Sequence, residues 1–295
     1  MIDGCKNDDI LFEKLKLALR ERFDYWDEDI RDDDVEDFTE HDLVDGLKYT
    51  GQFKLYRYMP AKYFNIRNIE IQKIHLSDNG ILNDIYEGLP QIDDSISVRD
   101  LQQLKDMAKI ACFTEKNDNV LMWSHYADEH KGICVEYDLK RLTEDKFDIL
   151  KHLYPVLYGK RRIIKKDISS LVESHKDLDR AIADNMVYEG CEALDDILPL
   201  FLTKGWAWEY EQEWRIIYTK KQMYEINDSD LYSGNLEFPC ISGVYLGYRI
   251  DPEIKKNIGE ICQRCGSPEK PIALYQAKLD LQGYDIRFEV VNIEK

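Results

Sequence analysis

Trp123-Ser124-His125-Tyr126-Ala127, followed by His130-Lys131-Gly132 and Ile133-Cys134-Val135-Glu136-Tyr137, is the stretch on which the reading of this chain turns. The last five residues read as a buried strand. The eight before them gather two imidazoles, a phenol, an indole and a hydroxyl at its edge, where a rigid scaffold holds polar chemistry in place. Working outward, Trp208-Glu209-Tyr210-Glu211-Gln212-Glu213-Trp214-Arg215 repeats the design with carboxylates and runs into Ile216-Ile217-Tyr218, a second strand pattern. A functional reading requires the fold to bring these two clusters together.

Around these two strands the apolar pattern supplies the rest of a sheet. Phe53-Lys54-Leu55-Tyr56-Arg57-Tyr58 alternates and is stopped by Pro60, so it reads as the first strand. Residues 71–76, 110–114, 154–158, 241–246, 271–279 and 284–292 read as further strands. Helical spacing is expected over 8–22, 98–109, 167–202 and 252–265. Asp78-Asn79-Gly80 and Asn83-Asp84 carry turn chemistry. Helices are grouped rather than strictly alternating with strands, which predicts an α+β fold with a mixed, mostly antiparallel central sheet. A turn at Thr50-Gly51 divides an acidic helical N-terminal segment, 1–50, from a principal α+β domain, 51–295.

At 295 residues, 44% apolar and 12% aromatic, the chain can bury a substantial core. Its formal net charge of -18 repels nucleic acid over most of the surface. Lys160-Arg161-Arg162-Ile163-Ile164-Lys165-Lys166 is the local basic run through which nucleic acid would have to bind; a solvated surface run is the commoner reading. The acidic stretch from Asp24 to Asp45 suits contact with a protein partner. Seven cysteines, an odd number thinly spread, point to a reducing cytoplasm rather than a disulfide framework. With no secretory leader pattern and no apolar run of spanning length, a cytoplasmic protein without membrane attachment is expected.

Cys262-Gln263-Arg264-Cys265 has metal-like spacing but lacks a second pair, so ordinary thiols are expected and no metal residues are assigned. His125 and His130 are five apart, about 140° around a helix, which argues against a paired zinc site. His125 with Tyr126 suits a ring- or ribose-bearing ligand, while packing residues that fix a tight turn are the structural alternative. If 211–217 is extended, Glu211, Glu213 and Arg215 share one strand face. Like charges so placed need compensation and tend to raise a carboxylate pKa; an ion-paired surface edge is the bland reading. Arg57, opposite Tyr56 and Tyr58 on its strand, could clamp a phosphate. No phosphate loop, Walker lysine, nucleophile elbow or H-E-x-x-H motif is present, which moves the usual nucleotide kinases, simple serine hydrolases and zincins out of the front rank.

Leu55-Tyr56-Arg57-Tyr58, Asn83-Asp84, Trp123-x-His125-Tyr126-Ala127 with His130 and Gly132, Glu211-x-Glu213-x-Arg215, and Ile241…Tyr245-x-Gly247 together resemble a widespread bacterial domain-of-unknown-function family over roughly residues 53 to 278. Ile85 stands where that family usually has proline. More remotely, the motif order is similar to the ADP-ribosyltransferase fold. That resemblance implies NAD as substrate and assigns catalysis to Glu213, supported by Glu211, with His125 and Tyr126 at the nicotinamide end. It also implies Arg57, Tyr58, Trp123, His130 and Arg215 as residues around the nucleotide. The function expected from it is an NAD-using glycosyl-transfer enzyme, an ADP-ribosyltransferase or NAD hydrolase of the kind found among toxins and antiviral defence effectors. Two other classes stand beside it. One is a metal-dependent nuclease built on Asp84, Glu211 and Glu213, with Arg215 or Lys204 on phosphate. The other is a non-catalytic sensor or partner-binding protein.

Overall fold

The computed structural model describes residues 54–78, 83–89, 103–159, 168–184, 186, 188, 197–198 and 200–292. The expected N-terminal helix and acidic cover, the turn at 50–51, residues 79–80, the start of the 98–109 helix and the basic run 160–166 lie outside the described residues.

Thirteen strands are described: β1 (Lys54–Met59), β2 (Lys73–His75), β3 (Ser77–Asp78), β4 (Ala108–Thr114), β5 (Ile133–Asp138), β6 (Leu153–Pro155), β7 (Leu157–Gly159), β8 (Thr203–Gly205), β9 (Glu213–Thr219), β10 (Asn235–Glu237), β11 (Ile241–Leu246), β12 (Ala273–Leu279) and β13 (Ile286–Val290). The helices are α1 (Tyr63–Glu70), α2 (Val120–Tyr126), α3 (Ile168–Asp184), α4 (Lys220–Ile226), α5 (Ser229–Tyr232) and α6 (Pro252–Cys265). The main sheet runs β13-β12-β11-β5-β1-β4-β9-β6, with β3 added to β4. Its neighbours are antiparallel except β11 and β12, whose parallel pairing requires the crossover that α6 supplies. The fold is therefore α+β with a mixed, mostly antiparallel central sheet. Among the described residues no helix is long and apolar enough to cross a membrane.

β5, the strand of the opening stretch, lies between β1 and β11, and its first five residues are buried. Two local expectations fail for a shared reason. Helical spacing over 98–109 gives way at Ala108, where β4 pairs with β9 from Ala108↔Thr219 to Thr114↔Glu213. The single strand expected over 154–158 divides into β6, on β9, and β7, on β8. In both places a long-range ladder decides what local propensity left open. The long helix expected over 167–202 is α3 as far as Asp184, and the described residues near its expected end form 3₁₀ turns. α6 begins and ends where its sequence signals place it: Asp251 accepts from the Glu253 and Ile254 amides, and Pro252 occupies the first turn.

Register assigns the two faces of the sheet. Tyr56 stands opposite Thr114 and Glu136, and Thr114 opposite Glu213, so these side chains share a face with Tyr58, Cys112, Cys134, Arg215 and Tyr245. The other face carries Leu55, Phe113, Val135, Tyr137 and Trp214 into the larger apolar core, and half-buried Arg57 lies on that face too. α2 covers the first face, with the Trp123 indole edge-on to Tyr58 at 5.2 Å. Its approach is set by glycines at the strand ends: a Cβ on Gly132 would fall 2.3 Å from the Met59 carbonyl oxygen, and one on Gly247 2.2 Å from that of His130.

Candidate functional site

The carboxylates of the second cluster reach the site by a route that strict alternation did not foresee. Trp206–Glu211 forms 3₁₀ turns, Gln212 takes a left-handed conformation at φ 44°, and the strand begins only at Glu213. Glu211 is thus not on β9. It meets Glu213 through Lys204, whose ammonium lies 2.5 Å from Glu211 Oε2 and 3.0 Å from Glu213 Oε2. Arg215 points the same way as Glu213, as alternation predicts, and grips its carboxylate through Nε and Nη2, both at 2.9 Å. Arg215 Nη1 donates to Glu87 Oε1 at 2.5 Å and also to the Phe201 carbonyl. Three carboxylates and two cations therefore form one buried array. Buried charges persist in a protein only when paired in this manner.

At the outer end of this array the two sequence clusters meet. The Tyr126 hydroxyl donates to Glu211 Oε1 at 2.5 Å, and His125 Nδ1 lies 3.0 Å from the Tyr210 hydroxyl. Asn119 fastens the junction: its side-chain oxygen accepts from the Leu121 amide at the start of α2, while its Nδ2 donates to the Tyr210 carbonyl at 2.8 Å. The Asn83 side chain neighbours the Tyr126 hydroxyl and opposes the upward shift of its pKa. Asp84 accepts from the Tyr86 amide, and the turn this closes delivers Glu87 to Arg215. His125 is exposed, Tyr126, Trp208 and Tyr210 are half-buried, and Lys204 sits 4.9 Å from the centre of the Trp208 ring. A carboxylate, a phenol and an ammonium thus lie beneath an aromatic rim.

The two glutamates are electrostatically unlike. Burial opposes ionisation of Glu213, but Arg215 and Lys204 overcome it and hold that carboxyl well below the usual range. At Glu211 burial dominates: Lys204 opposes it, the Glu213 charge reinforces it, and the carboxyl is raised. Lys204 remains protonated because the two carboxylates outweigh its burial. Burial and the neighbouring Glu211 raise the Tyr126 phenol, so it stays a donor. Glu213 is the firmly anchored charge, and Glu211 is the carboxylate that burial and its neighbour make less acidic.

The other residues selected from sequence are placed as follows. Trp123 is fully buried and donates from Nε1 to the Asn117 carbonyl at 2.8 Å; Tyr58 is buried against it and donates to the Lys116 carbonyl. Trp123, on α2, and Tyr58, on β1, thus fasten the helix to the sheet. Arg215, without exposed surface, anchors Glu213 rather than facing a nucleotide. His130 contacts Ser124 and not the glutamates, with Nε2 3.1 Å from Oγ. Arg57 lies on the opposite face of the sheet, over Phe113 and donating to the His75 carbonyl at 2.9 Å, so it does not join the cluster. Cys265 Sγ faces the Glu70 carbonyl, and among the described residues no group of three His, Cys, Asp or Glu side chains is placed to hold a metal ion.

Sequence reasoning missed Glu87 and Tyr158, whose hydroxyl accepts from the Glu213 amide at 2.8 Å, and gave Lys204 only a phosphate contact. A signal for Lys204 was present: two glutamates beside one arginine called for a second cation. Glu87 carried none, since its partner lies 128 residues away.

No curated protein and no solved structure matches the chain. Residues 122–216, which contain Tyr126, Lys204, Glu211, Glu213 and Arg215, match the family model described as "Protein of unknown function (DUF2971)".

Proposed function

We propose that the chain is an NAD-using glycosyl-transfer enzyme, an ADP-ribosyltransferase or NAD hydrolase, whose working carboxylate is Glu211. The observation that carries this reading is the 2.5 Å contact between Tyr126 and Glu211, which joins the imidazole-phenol cluster to the acidic cluster where the buried ion array meets half-buried Tyr126 and exposed His125. The aromatic rim of His125, Trp208 and Tyr210 suits a planar ring. Glu211 would accept a ribose hydroxyl, and its negative charge would stabilise the oxocarbenium-like centre that develops as the C1′–N bond breaks and neutral nicotinamide leaves. Water or an acceptor group then bonds to C1′ and gives up its proton. Glu213, Arg215, Lys204 and Glu87 act as positioning residues, with their charges fixed before substrate arrives.

This reading moves the central role from Glu213 to Glu211, because Arg215 clamps both Glu213 oxygens and holds that carboxyl ionised, whereas Glu211 is the glutamate that contacts Tyr126. It also removes Arg57 from the nucleotide's reach. The metal-nuclease reading loses support, since Lys204 and Arg215 occupy the space between the carboxylates where a cation would sit.

The test is nicotinamide release from NAD by purified protein. Glu211→Gln and Tyr126→Phe should lower the rate by about 100-fold or more, the scale of removing one preorganised transition-state contact. Absence of release from the wild type across acceptors, or full release from Glu211→Gln, would overturn the proposal.

A further inference from the structure

A second chemical pair lies beside this site and is not used by it. After α2 the chain returns through Asp128, Glu129 and His130, three successive non-glycine residues at φ 48°, 53° and 68°. Left-handed backbone is costly for L-residues and survives only where the surroundings impose it. Here they do. The His130 amide donates to the Trp123 carbonyl, the Gly132 amide to that of Ala127 at 2.7 Å, and the Arg249 amide to the His130 carbonyl at 2.9 Å. Gly247 leaves no room behind that carbonyl.

The strained turn fixes one side chain. The His130 ring lies parallel to the Trp123 indole, within 10°, and its Nε2 is 3.1 Å from Ser124 Oγ. Burial and the nearby Arg249 charge lower the His130 pKa, so the imidazole is neutral at neutral pH and one ring nitrogen can accept a proton. The Ser124 hydroxyl also lies 3.0 Å from the Val120 carbonyl, so a rotation about Cβ–Oγ moves its hydrogen between the two acceptors.

We propose that Ser124 is a nucleophile and His130 its general base, forming an acyl-transfer site for small esters. Ser124 Oγ attacks the carbonyl carbon while its proton passes to His130 Nε2. The ester C–O bond breaks, and the departing alcohol takes that proton. Water then attacks the acyl-serine, His130 removes the water proton, and the same proton returns to Oγ as the carboxylic acid leaves. The sum is ester plus water giving acid plus alcohol. The geometry is that of a nucleophile within reach of a base whose own orientation is fixed by a third group, here the Trp123 ring and the constrained backbone.

Treatment with a fluorophosphonate probe, followed by intact-mass measurement and peptide mapping, tests this. One adduct is expected, on Ser124, absent from Ser124→Ala and formed at least about 10-fold more slowly in His130→Gln, at the modest end of general-base contributions. Because His130→Gln could disturb the turn, the wild-type labelling rate is also followed against pH. It should rise through a single ionisation below the ordinary histidine value. No adduct on Ser124, a flat pH profile, or unchanged labelling in a folded His130→Gln would overturn the proposal. None of these results bears on nicotinamide release, so the two readings fail separately.

Discussion

Replacing Lys204 by Met probes the buried array most directly. The methylene stem is preserved, but the ammonium that bridges Glu211 at 2.5 Å and Glu213 at 3.0 Å is removed. Three carboxylates are then left with Arg215 alone, and breaking one partner out of a buried ion group costs about 3–5 kcal/mol. That cost is bounded, because Glu211, already raised by burial, can take up a proton and become neutral. The sign follows from linkage. A carboxyl whose folded pKa is raised above its unfolded value opposes folding at high pH, and the penalty fades as pH falls through the folded pKa. Urea unfolding at pH 7.5 should therefore show a loss of about 3–5 kcal/mol that shrinks as the pH is lowered. The double variant Lys204→Met with Glu211→Gln removes the unpaired charge and should recover at least about 1 kcal/mol at pH 7.5. A loss below about 1 kcal/mol would place Lys204 among ordinary surface pairs. A loss independent of pH, or an additive double variant, would show that Glu211 does not carry the uncompensated charge.

Further outcomes follow from the same structure. Glu213 is held below its unfolded pKa of 4.5, toward about 2, so its contribution to stability is full above that unfolded value and lost as pH falls through the folded one. Glu213→Gln should flatten the acid limb of the stability profile below pH 5, measured by denaturant unfolding. Tyr126→Phe should cost roughly 1–2 kcal/mol, the scale of a buried acceptor losing its donor, while leaving the far-ultraviolet circular dichroism of the wild type. A Gly247→Ala side chain would fall 2.2 Å from the His130 carbonyl oxygen and should lower Tm by several degrees, since about 1 kcal/mol shifts a domain of this size by roughly 2–4 °C. Retention of wild-type Tm by that variant would mean the turn is not held as described.

Much of the scaffold was legible in the residues themselves. Ile133–Tyr137 and Ile241–Leu246 read as strands and 252–265 as a helix, and each forms that element in the fold. Alternation also put Glu213 and Arg215 on one face. These features rest on neighbours a few residues away, where chain geometry leaves few choices. The strand starting at Ala108, the division of 153–159 between two sheets and the left-handed bend at Gln212 depended on partners distant in sequence, and local pattern misassigned or missed them.

The candidate site shows the same division. Sequence alone determined which chemical groups were available: an imidazole-phenol pair ahead of one strand, and glutamates with an arginine ahead of another. Their meeting, the bridging ammonium of Lys204, the recruitment of Glu87 and the contrast between a clamped Glu213 and a protonatable Glu211 were decided by tertiary structure. Electrostatic character is set by distance and burial, and both are properties of the packed chain that no linear spacing encodes.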